Sequence, residues 1–241
     1  MTLTAAVVPA AGRGERLGPG APKALRLLGG VPMLVHAVRA LATARSVDLV
    51  VVAAPEDGVG DVVALLAEHN LLDASPGVAP SMVVSGGETR QDSVARALVS
   101  LPAEVDVVLV HDAARPLVPS TLIDAVSAAV RAGADAVVPG IPVADTIKAV
   151  DADGGVVATL DRGALRAIQT PQGFRRTVLT SAHAASDPDA PATDDAGLVE
   201  ALGVEVLVVP GDEEAFKVTR PIDLVLAEAV LARRRAAGVV S

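Results

Sequence analysis

The chain has 241 residues, 51% of them hydrophobic, with two phenylalanines, no tryptophan, tyrosine or cysteine, and a formal net charge of −9. That length allows one large α/β domain with an aliphatic core, and that hydrophobicity is too high for a disordered chain. The scarcity of aromatics argues against base stacking and the acidic balance against phosphate neutralisation, so nucleic acid is not an expected partner. Without cysteine there is no disulfide, thiolate metal site or cysteine nucleophile.

A strand-like run starts at once, over residues 4–8, leaving no room for a signal peptide. No run of about eighteen apolar residues follows, so no membrane partner is expected and a cytoplasmic location is. Directly behind that strand stands Pro9-Ala-Ala-Gly-Arg-Gly-Glu-Arg16, closing with Pro22-Lys23. Small residues at Ala10, Ala11, Gly12 and Gly14 let backbone N–H groups approach an anion, and Arg16 and Lys23 add the charge a polyphosphate needs. A dinucleotide fingerprint would need glycine at Leu17, and a P-loop would need Gly-Lys-Ser/Thr; neither is present. The segment resembles the loop of sugar-nucleotide-type nucleotidyltransferases.

Further along, Leu34, Val38 and Leu41 repeat at helical spacing. Val- and Leu-rich runs at 47–53, 81–84, 105–110, 136–138 and 205–209 read as strands covered on both faces. Strands alternating with helices predict an α/β fold of three layers: a mostly parallel, Rossmann-like sheet with helices on both faces. Residues 142–168 break the rhythm. Two short strand-like pieces flank Asp151-Ala-Asp-Gly-Gly155, which predicts an extended β-hairpin arm reaching a partner. Near the end, Ile222, Val225, Leu226 and Ala229 form an apolar helical stripe, with Arg233–Arg235 at the favourable C-terminal end.

Ligands in open α/β sheets bind beyond the carboxyl ends of the strands, and polar clusters follow several of these runs. Ser85-Gly-Gly-Glu-Thr-Arg-Gln-Asp-Ser93 offers close backbone approach at Gly86 and Gly87 and a hydroxyl at Ser93. His111-Asp-Ala-Ala-Arg-Pro116 places Asp112 and Arg115 at a strand tip; Asp112 suits a divalent cation or a ribose hydroxyl, or equally a turn. Thr193-Asp-Asp195 precedes a helical pattern, where Thr193 reads as an N-cap with acids in the first turn. The four histidines lack metal-ligand spacing and read as structural, and no Gly-x-Ser-x-Gly elbow supports a hydrolase.

These clusters, with Asp145-Thr-Ile-Lys148, Gln169-Thr-Pro-Gln172 and Lys217-Val-Thr-Arg-Pro221, occur in an order that resembles the 2-C-methyl-D-erythritol 4-phosphate cytidylyltransferase family over nearly the whole chain. The resemblance implies a single nucleotidyltransferase domain that couples CTP to a sugar-alcohol phosphate. It implies that Ala10, Ala11, Gly12 and Gly14 embrace CTP, with Arg16 and Lys23 on its triphosphate. Gly87, the Glu88 backbone and Ser93 would read cytosine and ribose, and Asp112 would face the ribose. Mg²⁺ or another divalent cation would be held mainly by the CTP phosphates, near Asp112. Thr193 and Lys217 would meet the acceptor phosphate and the α-phosphate. The arm would clasp a second subunit in a homodimer, bringing Thr146, Arg162 and Arg115 to the neighbour's substrate. Two alternatives stand beside this reading: a cytidylyltransferase for another polyol phosphate such as ribitol 5-phosphate, and a non-catalytic nucleotide-binding regulator. The presence of Lys23, Asp112 and Lys217 argues against the second.

Overall fold

The computed structural model describes residues 2–11, 22–186 and 192–238. In chain order it runs β1 (Leu3–Pro9), a ribbon of β2 (Leu27–Leu28) and β3 (Val31–Pro32), α1 (Met33–Ala42), β4 (Leu49–Ala54) and α2 (Val59–Glu68). There follow β5 (Ser81–Ser85), α3 (Arg90–Ser100), β6 (Val105–Val110), α4 (Ser120–Arg131), β7 (Ala136–Pro142), β8 (Lys148–Val150) and β9 (Val156–Thr159). The chain closes with β10 (Arg166–Ile168), β11 (Gln172–Arg175), α5 (Arg176–Ala184), α6 (Asp195–Ala201), β12 (Val206–Pro210) and α7 (Pro221–Ala236).

The six apolar runs read from the sequence are all strands of one sheet, although β12, expected to be covered on both faces, leaves Leu207 and Val208 exposed. β1 lies between β4 and β6, and β5 extends β4, all in parallel. On the far side β7 carries β12, also in parallel. Between β6 and β7 sits β11, antiparallel to both, and β10 continues along the same edge of β7. This antiparallel insertion is absent from the runs read from the sequence: β11 begins at Gln172, behind a short connection from β10. Gln169 to Gln172 are polar yet buried, so hydrophobicity gave no strand signal there.

Period-two alternation divides the core. Ala6, Val8, Val50, Val52, Val107 and Leu109 face α1, α2 and α4, whereas Ala5, Val7, Val51, Val108 and Val110 face α3, α5 and α6. Phe174 of β11 is wholly buried in the second layer. The helices therefore cover both faces of a mostly parallel sheet, as expected.

α7 departs from expectation. Ile222, Val225 and Leu226 are 65%, 65% and 52% exposed, and Ala229 is exposed too. The helix instead buries Ala227 and Leu231 against Leu28, Met33, Leu117 and Val218. Gly29, at φ +58°, makes that contact possible: a Cβ there would stand 2.5 Å from the Leu231 side chain. Arg233 and Arg234 do end the helix as read, and both pair with Glu214.

The 142–168 segment holds a hairpin of β8 and β9 closed by the Asp151–Gly155 turn, where Asp151 Oδ1 accepts from the N–H groups of Asp153 and Gly155. No residue between 143 and 165 is buried. No helix among the described residues is long and apolar enough to cross a membrane.

Candidate active site

The carboxyl ends of β1, β5 and β6 converge on a cleft of about 170 Å³, lined by Ala10, Ala11, Lys23, Arg90, Asp112 and Lys217 among others. Two wider depressions of about 950 Å³ lie away from these strand tips, one around Arg131 and Arg176, the other around Arg39 and Arg234. Of these three, the small cleft brings together Ala10, Ala11, Lys23, Ser93, Asp112 and Lys217, all singled out from the sequence.

Its floor is made by the end of β1. Ala10 N–H donates to the Ala53 carbonyl at 2.8 Å, continuing the sheet ladder. The Ala10 amide is thus engaged by the fold, while the residue itself lines the cleft. Ala11 is the next residue, and Gly12, Gly14 and Arg16 lie outside the described residues. Lys23 opens a short 3-10 turn (Lys23–Leu25) that brings it to the rim.

The β5–α3 loop forms one wall. A Cβ on Gly86 would meet the Ala11 Cβ at 2.8 Å, and one on Gly87 would meet the Asp92 Cβ at 2.2 Å, so both positions demand glycine. Thr89 and Asp92 form a reciprocal capping box that starts α3. Ser93, 1% exposed, accepts from Gly87 N–H at 3.1 Å and donates to the Thr89 carbonyl at 2.9 Å. Its hydroxyl shapes the loop, while Glu88 stands exposed.

Asp112 is the carboxylate of the cleft lining. Its N–H donates to Thr170 Oγ1 at 3.1 Å, and Thr170 in turn bonds His111 Nδ1 at 3.0 Å. Oδ2 meets Lys217 Nζ at 2.7 Å and Oδ1 meets Arg90 Nε at 3.2 Å. Burial alone would push the Asp112 carboxyl up; Arg90 and Lys217 overcome it and hold the group well below the usual carboxylate range. His111 is wholly buried, and that burial pushes its imidazole down to about 4. Arg90 Nη1 continues to Asp195 Oδ2 at 2.7 Å, and Asp195 Oδ1 accepts from His183 Nε2 at 2.9 Å.

Thr193 is exposed, two residues before Asp195. It is not the N-cap of α6: Asp194 holds that position, accepting from Gly197 N–H at 2.9 Å. Gln172 pins the same turn through Asp194 Oδ2 at 2.7 Å and Ala196 N–H at 3.1 Å. Thr146 and Arg162 lie on the exposed arm, outside the cleft lining, with Arg162 Nη1 donating to the Ala144 carbonyl at 2.7 Å. Arg115 stands past the end of β6, with its guanidinium turned toward its own chain. It is 8% exposed and donates to the Ala215 and Ile168 carbonyls at 2.7 and 3.2 Å, bracing the insertion against the last loop.

Sequence reasoning gave no role to Arg90, Asp195 or His183. One signal was present: Arg90 is the first residue of a helix, where the macrodipole disfavours a cation unless anions are near.

No group of three or more His, Asp or Glu side chains that could hold a metal occurs among the described residues. The donor set at the cleft is one carboxylate, which fits a magnesium ion carried by substrate phosphates rather than by a protein cage.

A glycine loop behind the first strand, two lysines and an aspartate at the tips of a mostly parallel sheet define a nucleotidyltransferase. Comparison with known proteins agrees. The model of the 2-C-methyl-D-erythritol 4-phosphate cytidylyltransferase family matches residues 4–233. Proteins of that name from Streptomyces coelicolor and Streptomyces avermitilis are 62% and 60% identical over 238 residues, covering 96% of this chain and 86% and 93% of theirs. The crystal structure of the Thermus thermophilus protein of that name superposes with a TM-score of 0.73 at 39% identity, covering 97% of this chain and all of that one. A 4-diphosphocytidyl-2C-methyl-D-erythritol synthase from Anaerococcus prevotii gives 0.81 at 26% identity, covering 96% and 97%. The chain belongs to the 2-C-methyl-D-erythritol 4-phosphate cytidylyltransferase family.

Proposed function

We propose that the protein transfers CMP from CTP to 2-C-methyl-D-erythritol 4-phosphate, giving 4-diphosphocytidyl-2-C-methyl-D-erythritol and pyrophosphate in non-mevalonate isoprenoid biosynthesis, in the cytoplasm. The observation that carries the reading is the meeting of Lys23, Asp112 and Lys217 in one cleft on a chain 62% identical to a protein of that name.

A 4-phosphate oxygen of the acceptor attacks the α-phosphorus of CTP. The new P–O bond forms as the bond to the β-phosphate bridging oxygen breaks, and pyrophosphate leaves with that electron pair. The nucleophile needs no base, because a phosphate monoester has a second pKa of about 6. The obstacle is charge, so the work of the site is positioning and electrostatic stabilisation. Arg16 and Lys23 bind the triphosphate, and Lys217 moves from Asp112 to the α-phosphate. Ala11, Gly12 and Gly14 line the phosphates. Gly87 and the Glu88 backbone read the base, in a loop whose shape Ser93 maintains, and Asp112 faces the ribose. Mg²⁺, held mainly by the CTP phosphates near Asp112, neutralises their charge when bound.

The single domain carries an arm over 142–168 that clasps a second copy, so that Thr146 and Arg162 of one chain reach the acceptor beside Thr193 and Lys217 of the other. The support is energetic: a two-stranded hairpin that buries nothing of its own is marginal, and its outward Val150, Val156 and Val157 are 57–64% exposed.

The test is pyrophosphate release in one tube with CTP, Mg²⁺, methylerythritol phosphate and ribitol 5-phosphate, with products resolved by mass. The expected preference for methylerythritol phosphate is at least about tenfold in kcat/KM, with CTP used over UTP. A majority of CDP-ribitol would overturn the acceptor, and no transfer at all would leave a nucleotide-binding regulator.

A further inference from the structure

Asp112 does not stand alone against Lys217. Its other oxygen is taken by Arg90, whose guanidinium spans 3.2 Å to Asp112 and 2.7 Å to Asp195 with two different nitrogens. Asp195 is 1% exposed, and its remaining oxygen accepts from the buried His183 at 2.9 Å. The result is a chain of alternating partners, Lys217–Asp112–Arg90–Asp195–His183, of which only the first two members belong to the machinery described above. It links the first residue of α3 to the first residue of α6 through one rigid planar group.

We infer that Arg90 and Asp195 are positioning residues for the transfer step, holding the Asp112 carboxylate so that Lys217 can leave it for the α-phosphate. The inference rests on the cytidylyl-transfer reading above. Lys217 must exchange a carboxylate for a phosphate during turnover. With Arg90 present, the Asp112 charge is already matched when Lys217 departs. Without it, Lys217 is the remaining ion-pair partner, among the described residues, of a carboxylate only 12% exposed, with Arg115 acting at longer range, and the exchange becomes costly. The loss then appears in the transition state, where Lys217 is needed, more than in the binding of CTP. Asp195 serves by fixing the guanidinium plane: an arginine anchored at one end aims its Nε reproducibly, and a lysine cannot reach both carboxylates.

Steady-state kinetics of the full chain with CTP, methylerythritol phosphate and Mg²⁺ decide the matter. Arg90→Gln is expected to lower kcat by about 10- to 100-fold, with the KM for CTP within about threefold of wild type. Asp195→Asn, which keeps a partner for His183, should lower kcat about three- to tenfold. Arg90→Lys should recover part of the loss. The double variant Arg90→Gln/Asp195→Asn should be no slower than Arg90→Gln alone, because both act through Asp112. The inference is overturned if kcat stays within threefold of wild type in folded Arg90→Gln, if the loss sits wholly in KM, or if the double variant shows the product of the two losses. Failure of both single variants to keep the wild-type circular dichroism spectrum also overturns it, since the network would then serve folding alone. A wild-type protein that makes no product removes the functional reading first, and this inference with it.

Discussion

Asp112 keeps 12% of its side chain exposed and meets a cation at each oxygen, whereas Val156 and Val157 of the arm are 62% and 64% exposed and nothing between 143 and 165 is buried. The cleft wall is braced from three elements behind it, α3, α5 and α6, through Arg90, His183 and Asp195. The arm is held by its own turn at Asp151, a Lys148–Thr159 hydrogen bond of 2.6 Å and the Arg162–Ala144 contact. One region is set before any ligand arrives. The other stays exposed along its length. Charge chemistry needs the first kind of structure, because fixed dipoles and charges cost no reorganisation during reaction. Reaching into another molecule needs the second.

The comparison can be broken most sharply at Lys23. If the cleft is preset for phosphate charge, Lys23→Ala should lower kcat by about 10²–10³ with an unchanged melting temperature. Near-normal turnover of the folded variant would remove the cleft from its place in the reaction.

Acid should undo the braced region. His111 has its pKa pushed down to about 4 by burial, against about 6.5 in an unfolded chain. Between those values the unfolded state binds a proton that the native state refuses. The neutral imidazole therefore contributes fully above pH 6.5 and is lost progressively as pH falls to 4, on the order of 3 kcal/mol. Urea denaturation at pH 7 and pH 4.5 measures it. A flat stability over that range would mean that His111 protonates freely, and so that the wall is looser than its packing.

A smaller effect would sharpen the contrast. Mixing Lys23→Ala chains with Arg162→Ala chains, under subunit exchange, should return about a quarter of wild-type activity. Half of randomly reassorted dimers are mixed, and each of those has one site with both groups intact. No recovery, or a fully active monomer by light scattering at micromolar concentration, would confine the arm to its own chain.

The least change is expected at the arm valines. Val156→Ser with Val157→Ser should alter the unfolding free energy of the isolated chain by no more than about 0.5 kcal/mol per site, because neither side chain is packed. The same pair should weaken self-association, read by light scattering over a dilution series. A large drop in stability with unchanged association would reverse the assignment of these residues.

Much of the site was legible because its residues follow the ends of buried strands. Asp112 stands just past β6, Lys23 and Lys217 lie in the longer connections that follow β1 and β12, and the topology of parallel strands brings such connections together. Arg90 and Asp195 were quoted within motifs but given no task. They are 105 residues apart, and nothing local in either segment says that one guanidinium will span two carboxylates. Arg115 shows the converse: a cation beside a strand tip reads as a ligand group in the sequence, and the sequence does not show the two carbonyls, 53 and 100 residues away, to which it donates.

By itself the sequence determined the parallel strands of the sheet and their alternation with helices, because apolar runs act over a few residues and need no knowledge of neighbours. It also determined the phosphate-loop composition and the exposed hairpin with its Asp-Gly turn. Only the tertiary structure decided which face of α7 is buried. Ile222, Val225, Leu226 and Ala229 make as good a stripe as Leu224, Ala227 and Leu231, and the choice fell to the second because the β2–β3 ribbon and Gly29 meet it there. Likewise the polar stretch at 169–172, leading into β11 inside the sheet, is buried because Gln169 and Gln172 find partners in Asp212, Asp194 and Ala196. A periodic pattern states that a residue can be buried. Which residue is buried depends on the surface that arrives to cover it.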